Sequence, residues 1–222
     1  MEYADGGSLR NYLKENFDNL TWDDKCKFAL QLASAVSCLH DEGIVHRDLH
    51  SGNILIRQGI IKLADFGLSK RIEAATNQSK IFGVIPYVDP KCFIRRTSDN
   101  SSRKYTLDEK SDVYSLGVIL WEISSGRPPF YVKDEEYDIG LAINISQGLR
   151  ESIVPDTPED YVKIYTECWD NEPDNRPDTN QVVDKLNSII TETNLEEDYE
   201  MINQDQPYIN DDNVFSLLNQ DL

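Results

Sequence analysis

Apolar residues recur three and four apart along residues 22–42, WDDKCKFALQLASAVSCLHDE, where Phe28, Ala29, Leu32, Val36 and Leu39 fall on one stripe. That spacing predicts a long amphipathic helix. Thr21 and Asp24 form a capping pair at its start, and Gly43 is its stop. The period changes over 54–64, ILIRQGIIKLA, where two short apolar runs flank Gln58-Gly59 and predict a β-hairpin. Residues 112–125, DVYSLGVILWEISS, are apolar nearly all round, as a helix buried on every side would be. Further helical patterns follow near 134–147, 158–170 and 178–191, and a short helix over 8–14 has Ser8 as its cap. Helices dominate, with one short hairpin and no internal repeat.

Two segments break this pattern. RRTSDNSSRK, 95–104, reads as a polar surface loop. From Glu192 onward the chain is acidic without one Lys or Arg, which predicts a disordered tail over 191–222. The remaining 1–190 is long enough for one sizeable core. A net charge of −18 argues against binding nucleic acid through a basic surface and against attraction to anionic lipid. No apolar run reaches the ~18 residues of a membrane span, so membrane insertion is not expected. The opening MEYADGGSLR has neither the basic nor the apolar region of a secretory signal. Cys26, Cys38, Cys92 and Cys168 lie far apart with no CxxC pair, which argues for reduced thiols and a cytoplasmic location, the nucleus left open.

One apolar stretch carries a knot of charge. GIVHRDLHSGNILI, 43–56, packs His46, Arg47, Asp48 and His50 between runs that read as core. Burying such groups costs several kcal/mol unless each is paired. The hairpin supplies geometry. With Gln58-Gly59 as its turn, Arg57 faces Ile60, and counting back sets Asn53 beside Ala64 and Asp65 next to Gly52. Asp48, Asn53 and Asp65 then converge at the open end of the hairpin, a set of hard oxygen donors suited to Mg²⁺. His46 and His50 have the i, i+4 spacing of metal ligands, but the residues between them belong to a loop, so metal binding by histidine is not expected.

HRDLHSGN at 46–53, followed by DFG at 65–67, resembles the catalytic and metal-binding loops of the protein kinases. The resemblance extends over roughly 1–190 and is closest in style to the tyrosine-kinase-like group. MEYADGGSL resembles the hinge between the two kinase lobes, and GVIPYVDPK (83–91) the end of the activation segment. KSDVYSLGVILWEISSGRPPF resembles the buried central helix, and CWDNEPDNRPD the penultimate helix with its Arg-bearing loop. The resemblance implies a mainly α fold: the large lobe of a protein kinase with a short β-hairpin, the small β-rich lobe missing. It implies ATP and Mg²⁺ as cofactors and a protein as substrate. Asp48 would orient the substrate hydroxyl or take its proton; Asp65 and Asn53 would hold Mg²⁺. His46 and Arg47 would be scaffold, Arg47 able to receive a phosphate from Thr76 or Ser79 on the activation segment. Asp112 would tie down the catalytic-loop backbone, its simpler role being a helix cap. Glu2 and Ala4 would meet adenine through their backbone, Ser8 would lie near the ribose, and Leu55 would form the floor under the ring.

Three departures qualify the resemblance. No Gly-rich phosphate loop and no VAIK-like strand occurs within the 222 residues. An upstream small lobe is therefore expected to be needed for activity, and the alternative is a catalytically inactive kinase-lobe interaction module. Neither Ser/Thr nor Tyr specificity is legible: His50 and Val84 stand where Ser/Thr enzymes usually carry Lys and Thr, and the Ala and Arg of the Tyr enzymes are absent. The Ala-Pro-Glu that usually closes the activation segment is Asp89-Pro90-Lys91 here. Lys91 then meets Arg176, where the family has Glu against Arg. At about 4 Å and an effective dielectric near 20 that repulsion is roughly 4 kcal/mol. Lys91 is expected to swing toward solvent and Asp89 or Asp174 to take over Arg176, with Lys91→Glu raising the melting temperature.

Overall fold

The computed structural model describes residues 5–71, 84–93, 106–131 and 137–204, with backbone alone at Arg71 and from 193 onward. Its elements in chain order are α1 (Leu9–Asn16), α2 (Trp22–Asp41), β1 (Ile44–Val45), β2 (Ile54–Arg57), β3 (Ile60–Leu63), β4 (Lys70–Arg71), α3 (Glu109–Ser125), α4 (Ile139–Ser146), α5 (Glu159–Cys168) and α6 (Thr179–Gln204). Short 3-10 turns fill several of the connections. No helix among the described residues is long and apolar enough to cross a membrane.

The start of α2 follows from two side chains. The Thr21 hydroxyl accepts the Asp24 N–H at 3.1 Å, and the Asp24 carboxylate accepts the Thr21 N–H at 3.0 Å, closing the capping box. The apolar stripe Phe28, Ala29, Leu32 and Val36 is buried, and α2 lies against α3 and α6. Every residue of α3 from Ser111 to Ser124 is buried, so this helix is the axis of the helical body. α5 approaches α3 at Gly117, where a Cβ would come within 2.6 Å of the Cys168 Cβ; only a residue without a side chain permits that contact.

The hairpin has the register that its turn predicts. Arg57 pairs with Ile60, Ile56 with Ile61, Leu55 with Lys62 and Ile54 with Leu63. Beyond it the Ala64 N–H donates to the Asn53 carbonyl at 2.9 Å. A second ladder, β1 with β4, has two residues per strand, too few to leave a periodic trace in sequence.

Boundaries differ from expectation in three places. The helix expected near 134–147 begins only at Ile139, where the Asp138 carboxylate caps it by accepting the Leu141 N–H at 2.9 Å. α3 is capped by Asp108, whose carboxylate accepts the Ser111 N–H, so Asp112 lies one turn inside the helix and is not its cap. α6 continues to Gln204, into the segment expected from 191 as an acidic tail. Residues 179–204 hold no Gly or Pro and include Leu, Glu and Met, all good helix formers. Residues 205–222 lie outside the described residues.

The Lys91–Arg176 conflict is resolved by exchange of partners. Arg176 Nη1 meets Asp89 Oδ2 at 2.5 Å with both side chains 0% exposed. Its Nε donates to the Asp170 carbonyl at 2.8 Å, and the guanidinium lies 5.2 Å from the Tyr114 ring centroid. Lys91 turns to Glu172 at the surface, 2.5 Å away. A buried pair broken on one side leaves an uncompensated charge, whereas an exposed pair contributes little. Asp89→Ala is therefore expected to lose about 3–5 kcal/mol in urea denaturation and Lys91→Ala at most ~1 kcal/mol. Lys91→Glu would face Glu172 while Arg176 is already paired, so it should not raise the melting temperature; a clear rise would contradict this arrangement.

Candidate active site

The charged loop hangs from α3 by one carboxylate. Asp112, 1% exposed, accepts the His46 N–H on Oδ2 at 2.7 Å and the Arg47 N–H on Oδ1 at 2.8 Å. His40 Nε2 lies 3.1 Å from the same Oδ2, which links α2 to the anchor. The backbone turns sharply here, with Arg47 at φ +72°. The buried His46 ring then spans two segments: Nδ1 accepts the Asp48 N–H at 3.4 Å, and Nε2 donates to the Ala64 carbonyl at 3.1 Å. The ring packs against Phe66 with centroids 5.1 Å apart.

Asp48 and Asn53 form one unit. Asn53 Nδ2 donates to the Asp48 carbonyl at 3.0 Å and to its Oδ2 at 3.3 Å. With the amide nitrogen so engaged, Asn53 Oδ1 is left to bind another group. Asp65 follows Ala64, the backbone partner of Asn53, and is exposed in a left-handed conformation at φ +57°. Its Oδ1 accepts the Gly67 N–H at 3.2 Å. The Asn53 amide oxygen and the Asp65 carboxylate are hard donors that fit Mg²⁺, an ion that leans on substrate phosphates for further ligands. Among the described residues no group of three or more His, Cys, Asp and Glu is placed to hold a metal.

Of the expected nucleotide contacts, Ser8 and Leu55 are brought together as bridge partners, where the segment before α1 pairs with β2. The Ser8 hydroxyl accepts the Asn11 N–H at 3.4 Å and caps α1. Glu2, Ala4, Thr76 and Ser79 lie outside the described residues.

A second buried acid is absent from the expected set. Glu122, 1% exposed in α3, accepts from the Ser51 hydroxyl at 2.7 Å and the Tyr87 hydroxyl at 2.6 Å. Arg10 donates to both hydroxyls, at 3.1 and 3.2 Å, and its Nε lies 3.9 Å from the carboxylate. Ser115 donates to the Tyr87 carbonyl at 2.7 Å. This cluster joins α1, the charged loop, the 3-10 turn at Ile85–Tyr87 and α3. Its one signal in sequence is a Glu inside the otherwise apolar GVILWEISS, since a charge there demands buried partners.

A helical body around a fully buried axis, with a carboxylate-tethered HRD loop and a hairpin that delivers an aspartate beside it, defines a kinase-like fold. The model of the protein tyrosine and serine/threonine kinase family matches residues 1–186. The chain belongs to that family. A probable LIM domain-containing serine/threonine-protein kinase of Dictyostelium discoideum is 30% identical over 189 residues, 85% of this chain and 18% of the relative's length. The RGS domain-containing serine/threonine-protein kinase A of the same organism is 34% identical over 190 residues, 85% of this chain and 16% of its own length. The chain thus spans less than a fifth of the length of either relative.

Glu122 yields a pH prediction. Burial raises its carboxyl above the ordinary 4.5, against the lowering effect of Tyr87, Ser51 and Arg10. The folded state then binds this proton more tightly than the unfolded chain. The associated stability is fully present below 4.5 and is lost as pH rises through the raised value. In urea denaturation from 4.5 upward, the wild type should lose stability relative to Glu122→Gln across that window. A difference constant with pH would contradict the assignment.

Proposed function

We propose that the chain forms the large lobe of a protein kinase that transfers the γ-phosphate of ATP to a serine or threonine hydroxyl of a protein. The observation that carries this reading is the joined pair Asp48 and Asn53, held from α3 by Asp112, with Asp65 one residue beyond the backbone partner of Asn53. The names of the relatives support Ser/Thr as the acceptor class.

In this reading Asp48 takes or orients the proton of the acceptor hydroxyl, and its carbonyl and Oδ2 are fixed by Asn53. Asn53 Oδ1 and Asp65 hold Mg²⁺. When bound, the ion neutralises charge on the phosphates. The protein contributes position, so the rigidity of the loop matters more than any covalent chemistry. Arg47 fits a further role. Its Nη2 donates to the Leu107 carbonyl at 3.2 Å, and its buried Nε has no hydrogen-bond partner among the described residues. A phosphate on Thr76 or Ser79 would supply one. A small lobe supplying the phosphate-covering loop and its Lys is required for transfer.

Radiolabelled phosphate transfer tests the proposal. The 222-residue chain alone should show little activity, and the chain joined to a kinase small lobe should transfer phosphate to a protein substrate. Asp48→Asn should then lower kcat by ~10²–10⁴, and Asp65→Asn should abolish activity. No transfer by the joined protein, or transfer indifferent to Asp48 and Asp65, would instead favour an interaction module without catalysis.

A further inference from the structure

His50 stands two residues after Asp48 and three before Asn53, and its imidazole folds back over its own turn. Nδ1 accepts the Gly52 N–H at 3.1 Å, which makes the side chain the cap of the 3-10 turn Ser51–Asn53. The His50 carbonyl accepts the Asn53 N–H at 2.9 Å. One residue thus holds two amides of the turn that aims Asn53. A nitrogen that accepts an N–H must keep its lone pair, so the proton of the neutral ring sits on Nε2. Nε2 lies 3.9 Å from Asp48 Oδ1, while Asn53 Nδ2 donates to Oδ2 of the same carboxylate at 3.3 Å. N–H groups therefore flank both oxygens of Asp48. Gly52 makes the fold-back possible, because a Cβ there would come within 2.9 Å of His50 Cε1 and Nδ1. The Tyr87 ring stands on another side of the imidazole, with centroids 6.0 Å apart.

We propose that His50 is a positioning residue of this site: its neutral, Nε2-protonated imidazole caps the Ser51–Asn53 turn and flanks Asp48, fixing the carboxylate against Asn53. At 3.9 Å the Nε2–H is too far for a hydrogen bond to Asp48. It acts as an oriented dipole that favours the carboxylate rotamer in which Oδ2 meets Asn53. The two arms are separable. Asn at position 50 has an oxygen in place of Nδ1 and can cap the turn, but it has no counterpart of Nε2–H. The catalytic meaning of this positioning rests on the kinase reading above; the placement of the ring does not.

The test is nitrogen-correlated NMR of the full 222-residue chain near neutral pH, with three histidines to assign. The wild-type His50 ring should be a single Nε2–H tautomer with Nδ1 shifted as an acceptor. The Gly52 amide should keep its position in His50→Asn while the Asn53 side-chain NH₂ moves, and both should move in His50→Ala and Gly52→Ala. An Nδ1-protonated or mixed-tautomer ring in the wild type would overturn the proposal, as would unmoved Gly52 and Asn53 signals in His50→Ala. The tautomer is read in the wild type, so the test stands whether or not the Ala variants fold. The expected spectra from a chain that transfers no phosphate once joined to a small lobe would support the placement and count against the kinase reading alone.

Discussion

The carboxylate of Asp112 takes the N–H groups of His46 and Arg47 on its two oxygens, inside a helix that is itself buried from Ser111 to Ser124. Its energetics decide whether the loop can hold its shape. Arg47 at φ +72° is strained by roughly 1–3 kcal/mol. Two hydrogen bonds to a charged acceptor contribute about 1.5–3 kcal/mol each, enough to offset that strain. Without the anchor the left-handed turn would relax, and Asp48, one residue further on, would move with it. The position of the candidate base is thereby referred to α3 and not to the loop itself.

The same helix carries the rest of the charge. Glu122, three turns along α3, fastens Ser51 and Tyr87, and Arg10 closes the cluster from α1. At the other end Arg176 gathers Asp89 and the carbonyls of Lys110 and Asp170. Both clusters bind the segment 84–93 to the helical body. The chain has moved the acid that meets Arg176 from the third position of Asp89-Pro90-Lys91 to the first. A buried guanidinium requires a carboxylate nearby, but not from a particular residue.

What was legible in sequence is what local rules determine. A Gln-Gly turn between two apolar runs set the hairpin register, and through it the approach of Asp65 to Asn53, without knowledge of the remaining fold. Thr21 and Asp24 announced the start of α2 because both capping partners lie within one turn. The true start of α3 was hidden, since Asp108 precedes a polar first turn and the apolar pattern begins only at Val113. The extent of α6 was hidden because an acidic composition suggests disorder while leaving helix propensity intact. The partners of Glu122 lie 35 and 71 residues away, and nothing local points to them. His50 belongs to the same class: its spacing excludes no role beyond the metal ligand that the loop argues against, and only the turn geometry reveals a cap.

If Asp112 is the anchor, the amides it holds must be among the slowest to exchange in the chain, although they belong to a loop. Native-state hydrogen exchange at His46 and Arg47 in the full chain measures this directly. Both amides are expected to exchange only through global unfolding, with protection equal to that of the core of α3. Exchange at His46 and Arg47 through local opening, far faster than in α3, would show that the loop is not held by Asp112 and would contradict the account.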